Sequence, residues 1–283
     1  MEKALQARPP NILDCRPLVS VGISILSWQG AETLKASLES YRNENLFSIF
    51  DEAQVFLPDP DVAVLATSKA FDINVRTIPK NLGILENMAA SAAAMKTDYI
   101  LLLENDCPLI ESEIEALKQI SKSLEFLQRS NVVMARLRSV RSPGQEFTGL
   151  AKYRRLFDGS LKSRVERALR PDKIRRLAGY ALYDTPDTIR RHSTYFEALG
   201  GGYYLVDATI MPWTNQSILI NRDRFLNDII PLAKSVKTNR HANKLPNLEI
   251  ELNKTPLWKN SGWKIACTPG LFTHERIGHR GYD

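Results

Sequence analysis

The chain has 283 residues, 43% of them hydrophobic and 25% charged, which is ordinary for a globular protein with a sizeable core. No apolar run approaches the ~20 residues that cross a bilayer, and the amino terminus lacks the apolar segment of a secretory signal. Three distant cysteines without a CxxC pair argue against a disulfide framework or a zinc cluster. A reducing, cytoplasmic location is therefore expected. The net charge of +6 is unevenly distributed.

Alternating strands and helices are predicted after a proline-containing arm at residues 1–18. Residues 61–68 fit either a helical turn or a strand. The strand–helix alternation over residues 19–137 predicts an α/β fold with a mostly parallel sheet flanked by helices. Strands are expected at 19–26, 54–57, 74–78, 100–103 and 132–137, and helices at 31–42, 84–96 and 113–128. The inner face of the last helix is predicted to carry Ile114, Leu117, Ile120, Leu124 and Leu127.

The stretch Tyr99–Leu109 carries the most informative pattern in the chain. An apolar strand ends in Glu104-Asn105-Asp106, and residues two apart in a strand point to the same face. Ligands of open α/β sheets sit beyond the carboxyl ends of the strands. The two carboxylates could therefore hold Mg²⁺ or Mn²⁺ against a diphosphate. The alternative is a strand that ends in an ordinary solvated turn.

Residues 138–200 are rich in arginine and lysine, and apolar residues recur among them at roughly helical spacing. Such a stretch fits a solvated helix face, a patch for anionic lipid or a phosphorylated acceptor, or a nucleic-acid surface. The aromatic residues do not interleave as a stacking platform. No nucleic-acid partner is therefore expected, whereas a peripheral membrane contact through residues 152–176 remains an open prediction.

The remaining elements are expected in residues 201–283. A strand is predicted at 217–221, a short helix from Arg222, an acidic segment at 247–253 and a late strand at 263–267 that leads to His274. Earlier in the chain, Asp59 and Asp61 lie in a proline-containing loop where the second strand ends. They are candidates to bind a nucleotide base, or they simply form the turn.

The order of these pieces resembles a GT-A glycosyltransferase of the family 2 kind. The resemblance rests on the strand, loop and helix at 19–41, the Asn81-Leu82-Gly83 turn and its small-residue helix, and the acid-x-acid motif within 100–109. The fourth place is the tail, where Glu249 or Glu251 is followed by a strand that ends in His274. The loop after the first strand (Ser27-Trp28-Gln29) and the end of the second strand (Leu57-Pro58-Asp59) depart from the family pattern.

The resemblance implies transfer of a hexose or pentose from a nucleotide-diphosphate donor, a UDP-sugar being favoured, to a hydroxyl of a glycan or lipid-linked acceptor. It also implies inversion at the sugar carbon and a Mn²⁺ or Mg²⁺ cofactor. Residues 19–137 would form the nucleotide-sugar half and 201–283 the acceptor side. The stretch 138–200 matches no part of the family and is predicted, from its own composition and spacing, to be a basic insert with helical character. The site residues implied by the resemblance would be Asp106 and His274 at the metal, Glu249 or Glu251 as the base, and Ser27, Asp59, Asp61, Asn81, Glu104 and Arg276 around the nucleotide, with His279 and Arg280 as further candidates.

Two other classes of function compete with a transferase. A non-catalytic sugar- or nucleotide-binding protein could retain the same fold. A nucleotidyltransferase would share the α/β half, but no glycine-rich loop with a basic residue follows the first strand. The nucleotidyltransferase is therefore the weaker alternative.

Overall fold

The computed structural model describes residues 19–145, 148–236, 245–254 and 256–278. The expected arm at 1–18 and the candidates His279 and Arg280 lie outside these ranges. The first half alternates strand and helix, as predicted, and residues 61–68 contribute to a helix. Its elements are β1 (Val21–Leu26), α1 (Ala31–Asn43), β2 (Glu52–Pro58), α2 (Val62–Lys69), β3 (Asn74–Ile78), α3 (Ile84–Ala94), β4 (Tyr99–Glu104), α4 (Glu113–Leu127) and β5 (Val132–Arg138).

Short helices follow β5, and the sheet is then completed by a hairpin and two further strands. None of the helices in the described ranges is long and apolar enough to cross a membrane. The elements are α5 (Thr148–Leu156), α6 (Leu161–Leu169), α7 (Pro171–Leu177), a 3₁₀ helix (Ala178–Tyr183), α8 (Pro186–Arg191), β6 (Phe196–Gly200), β7 (Tyr203–Asp207), β8 (Ile218–Asn221), α9 (Arg222–Arg224), α10 (Ile230–Lys234), α11 (Leu248–Lys254), α12 (Pro256–Lys259) and β9 (Lys264–Phe272).

The strands form one nine-stranded sheet in the order β3-β2-β1-β4-β8-β5-β9-β7-β6. Among them, β7 and β8 run opposite to the rest. The predicted α/β class, with a mostly parallel sheet flanked by helices, is confirmed. The carboxyl ends of β1, β2, β4, β5 and β9 consequently lie at the same edge of the sheet, and β8 begins there.

Both faces of the sheet are covered by apolar side chains. In β4, Ile100 and Leu102 belong to the cluster on one face, and Leu101 and Leu103 belong to the cluster on the other. Alternate side chains of β4 point to opposite faces of the sheet, and both faces are buried. The strand is therefore apolar at every position rather than at every second one. The strand is thus packed on both faces, which fixes the position of the acidic residues that follow it.

The buried face of α4 contains Ile120, Leu124 and Leu127, as predicted, but it does not include Ile114. Ile114 is 72% exposed, so its assignment to the inner face is wrong. Ala116, Gln119 and Ser123 are buried instead. The Gln119 amide oxygen accepts a hydrogen bond of 2.9 Å from the backbone N–H of Gly270, so this side of α4 packs against β9.

Gly270 is required at the irregular part of the β5–β9 pair. Its φ is +95°, and an added Cβ would lie 2.3 Å from the Ser139 Cα and 2.4 Å from the Arg138 carbonyl. Gly270→Ala is therefore expected to lower the free energy of unfolding by about 2–4 kcal/mol, measured by urea denaturation. Gly262→Ala is the matched control, since Gly262 has a φ of +73° but no atom within 4 Å of the added Cβ. Equal losses in the two variants would show that crowding at Gly270 is unimportant.

Candidate active site

The acidic residues after β4 and the residues after β9 meet at the common edge of the sheet. Asp106 has no exposed surface. Its Oδ2 atom is 3.1 Å from His274 Nε2, and the same oxygen accepts a hydrogen bond from the Arg276 guanidinium. Burial by itself raises the pKa of Asp106, but His274 and Arg276 more than offset this, and the net pKa is lowered. Asp106 is therefore held as a carboxylate.

The loop that carries Asp106 is fixed by backbone contacts on both sides. Ser37 donates a 2.7 Å hydrogen bond to the Asn105 carbonyl, and Tyr41 donates one of 2.6 Å to the Cys107 carbonyl. The Asp106 carbonyl accepts a hydrogen bond from the Glu275 N–H at 3.0 Å. The position of the carboxylate is consequently set by α1 and by the segment after β9 together.

Glu104 lies at the last position of β4, close to two other carboxylates. Its pKa is raised to about 8, first by burial and then by the charges of Asp106 and Glu249. Arg276 and a hydrogen bond from Gln216 oppose this shift only in part. Gln216 in turn accepts a 2.9 Å hydrogen bond from Arg138. Glu104 is thus linked through Gln216 to the end of β5.

Asp106 and His274 are candidate ligands for a divalent cation, although in this structure the Asp106 Oδ2 atom contacts His274 and Arg276 directly. Ligand atoms at about 2.1 Å from a cation, at right angles to each other, lie about 3 Å apart. The observed separation of Asp106 Oδ2 and His274 Nε2 is 3.1 Å. Within the described ranges no group of three or more His, Cys, Asp and Glu side chains could hold a metal. These residues therefore offer at most two ligands at this position, and bound substrate or water would have to complete the coordination.

A cavity of about 360 Å³ opens beside His274. Glu249 reaches it from α11, and its Oε1 accepts a 3.1 Å hydrogen bond from the Asn215 N–H. Glu251 points elsewhere, because residues two apart on a helix lie roughly 200° apart around its axis. It is only 3% exposed. The cavity is lined by Arg136, Arg138, Gln145, Thr148, Gly149, Tyr180, Thr214, Gln216, Glu249 and His274.

Two arginines in this cavity were not singled out from the sequence. Arg138 is anchored by its hydrogen bonds to Gln216 and to the Pro143 and Gln145 carbonyls. Arg136 is 4% exposed, and its Nε has no hydrogen-bond partner among the described residues. Its guanidinium contacts the Met211 sulfur and lies over the Tyr183 ring, and an anion in the cavity would compensate its charge. These arginines could have been identified as candidates from the sequence, because they form an Arg-x-Arg pattern at the end of an apolar strand. Their spacing is the same as that of the acid-x-acid motif.

The other predicted nucleotide-binding residues mostly bond within their own loops. Ser27 is 1% exposed and accepts a hydrogen bond from Asn105. Asp61 caps α2 by accepting from the Val64 N–H, and Asn81 accepts from the Gly83 N–H and the Asn87 amide. Asp59 is exposed. These four residues are not among those that line the cavity, and their predicted contacts with a nucleotide remain predictions.

Comparisons with known proteins give a distant structural likeness. No family model and no curated protein matches the chain. Glucosyl-3-phosphoglycerate synthase from Mycobacterium tuberculosis, in complex with Mn²⁺, UDP-glucose and phosphoglyceric acid, matches with a TM-score of 0.48 and 12% identity, over 92% of this chain and 73% of that chain. Mannosyl-3-phosphoglycerate synthase from Rubrobacter xylanophilus matches with a TM-score of 0.45 and 11% identity, over 93% and 68% of the two chains. Membership of family 2 remains a prediction, and the function proposed below rests on the residues of the site.

Proposed function

We propose that this protein is a metal-dependent, inverting glycosyltransferase that moves a sugar from a nucleotide-diphosphate donor to an acceptor hydroxyl. The observation that carries the proposal is the position of His274. It contacts the buried Asp106 carboxylate and also lines the cavity into which Glu249 projects. This contact supports the proposal, because group transfer from a diphosphate requires an anion-binding group and a base close to one another.

The donor diphosphate is assigned to Asp106, His274 and Arg276. A Mn²⁺ or Mg²⁺ ion held by Asp106 and His274 would act as a Lewis acid on the leaving diphosphate. Arg276 is 25% exposed and has a planar guanidinium that can donate two parallel hydrogen bonds to phosphate oxygens. Glu104 orients sugar hydroxyls, and Asp59 binds the base of the nucleotide, UDP being the favoured carrier.

Glu249 is assigned as the base that accepts the proton of the acceptor hydroxyl. The Asn215 N–H holds its Oε1, whereas Oε2 has no hydrogen-bond partner in the described part of the chain. That oxygen is available to a hydroxyl in the cavity. The acceptor is a glycan or a lipid-linked molecule. Residues 19–137 then form the donor half and 201–283 the acceptor side, while Tyr180 of the basic insert contributes a wall of the cavity.

One observation also fits a non-catalytic sugar- or nucleotide-binding protein. Arg276 already balances the charge of Asp106 without a metal ion. Such a protein would bind a nucleoside diphosphate without needing metal, and it would leave an intact donor sugar unchanged.

The test is a thermal-shift panel of UDP, GDP, CDP and TDP, each with and without Mn²⁺, and with Mn²⁺ alone as the reference. At 100 times its dissociation constant, a ligand stabilises the fold by about 2.7 kcal/mol. We expect stabilisation by one nucleotide, UDP first, that requires Mn²⁺, and release of that nucleotide from its sugar donor. Stabilisation without metal and without donor turnover would favour the binding protein, and no response to any nucleotide or donor would contradict the proposal.

A further inference from the structure

A second cavity, of about 430 Å³, lies on the other side of Tyr180, which lines both cavities. Four basic side chains line it, from three helices of distant sequence position. Lys152 belongs to α5, Lys173 and Arg176 belong to α7, and Lys259 ends α12. No aspartate or glutamate is among its lining residues in the described ranges. We call it the basic cavity.

The charges of the basic cavity are poorly balanced by the protein. Lys173 Nζ lies 2.6 Å from Glu166 Oε1. No carboxylate lies within ion-pair distance of Lys152, Arg176 or Lys259 in the described part of the chain. Burial lowers the pKa of Lys259, and the neighbouring charges of Arg176 and Arg175 lower it further. Lys152 and Arg176 are exposed to water, and Lys173 and Lys259 are half-buried. A bound anion would lessen the mutual repulsion of these four cations, most of all at the two half-buried lysines.

We propose that the basic cavity binds the phosphate group of a phosphorylated ligand. A phosphate monoester or a diphosphate carries about two or more negative charges and several acceptor oxygens. It can therefore contact several converging cations at once, which a single carboxylate cannot. Leu177, Ile210 and Trp258 add apolar surface for the remainder of the ligand. The basic stretch noted in the sequence thus supplies two of the three helices around this site.

Two sources can supply this phosphate, a soluble phosphorylated molecule or the headgroup of a membrane phospholipid. The neighbouring helix α6 bears on the choice. Its Leu161, Val165 and Leu169 recur every four residues and are 77%, 57% and 75% exposed. A lipid ligand would bring these side chains against the bilayer, whereas a soluble ligand would leave them in water.

The experiment titrates the full chain with inorganic pyrophosphate in metal-free buffer, by calorimetry. The cavity variant is Arg176→Gln with Lys259→Gln, and the matched control is Lys162→Gln with Arg164→Gln, which removes the same charge from the exposed surface of α6. We expect the cavity variant to bind at least about tenfold more weakly than the wild type and the control variant. Equal affinities in the two variants, or no binding to the wild type, would overturn the proposal.

Two further experiments distinguish binding in the basic cavity from binding in the proposed active site, and distinguish a soluble phosphorylated ligand from a phospholipid headgroup. Pyrophosphate binding should persist in Arg276→Gln, which removes the cation assigned to the donor diphosphate, and the UDP response with Mn²⁺ should persist in the cavity variant, so that failure of one proposal is not failure of the other. Sedimentation with phosphatidylcholine vesicles that contain phosphatidic acid tests the lipid source, with phosphatidylserine vesicles as the charged reference. Binding to phosphatidic acid that is lost in the cavity variant supports a headgroup ligand, and pyrophosphate binding without vesicle binding supports a soluble one.

Discussion

Asp106→Asn is expected to abolish the Mn²⁺-dependent response to nucleoside diphosphates and to lower donor turnover by about a thousandfold. Asparagine keeps the shape of the side chain but removes the charge that would hold a cation beside His274. The measurements are the thermal shift with UDP and Mn²⁺ and the release of UDP from a donor sugar. A variant that keeps a metal-dependent shift of wild-type size would contradict the assignment of Asp106 as a metal ligand.

A structural effect of this substitution must be separated from a functional one. Asp106 is fully buried, so its neutral replacement leaves the Arg276 guanidinium without its carboxylate. The double variant Asp106→Asn with Arg276→Gln removes both charges and is expected to recover stability lost in the single variant, but not the response to metal. Asp72→Asn, at an exposed aspartate, is the control for loss of one negative charge.

The fold was largely predictable because its central strands, such as β1, β4 and β5, are buried on both faces. Such strands appear as short apolar runs, and β4 is the clearest of them. The assignment of helix faces was less reliable, as Ile114 shows. Its apolar side chain fits the helical period, but the buried side of α4 extends instead towards Gln119, which bonds to Gly270 of β9. A contact between residues so distant in sequence leaves no local pattern to detect.

The site was predictable only where strand ends place residues together. Asp106 and His274 both follow strands that end at one edge of the sheet, so their meeting follows from topology. Asp61 and Asn81 show the limit of this reasoning. A short polar side chain in a loop suits a helix cap or a turn as well as a nucleotide contact. Arg136 was missed because it was one of many basic residues, and only its burial sets it apart.

Glu249→Gln is expected to lower donor turnover by about 10²- to 10⁴-fold while leaving the UDP and Mn²⁺ thermal shift unchanged. The amide cannot accept the proton of a hydroxyl or of the water that replaces it, but it can keep the hydrogen bond from the Asn215 N–H. Release of UDP from the donor into water measures this step without a known acceptor.

Glu251→Gln is the matched comparison, since it makes the same change two residues away on α11. Glu251 is 3% exposed, so its replacement should alter the free energy of unfolding and leave turnover per folded molecule near the wild-type value. Sequence patterns alone do not decide which of the two carboxylates is the base. In the structure they differ in the direction in which each side chain leaves the helix. If Glu251→Gln abolishes turnover in a folded protein and Glu249→Gln does not, the base is Glu251, and the cavity beside His274 is not where the acceptor hydroxyl is activated.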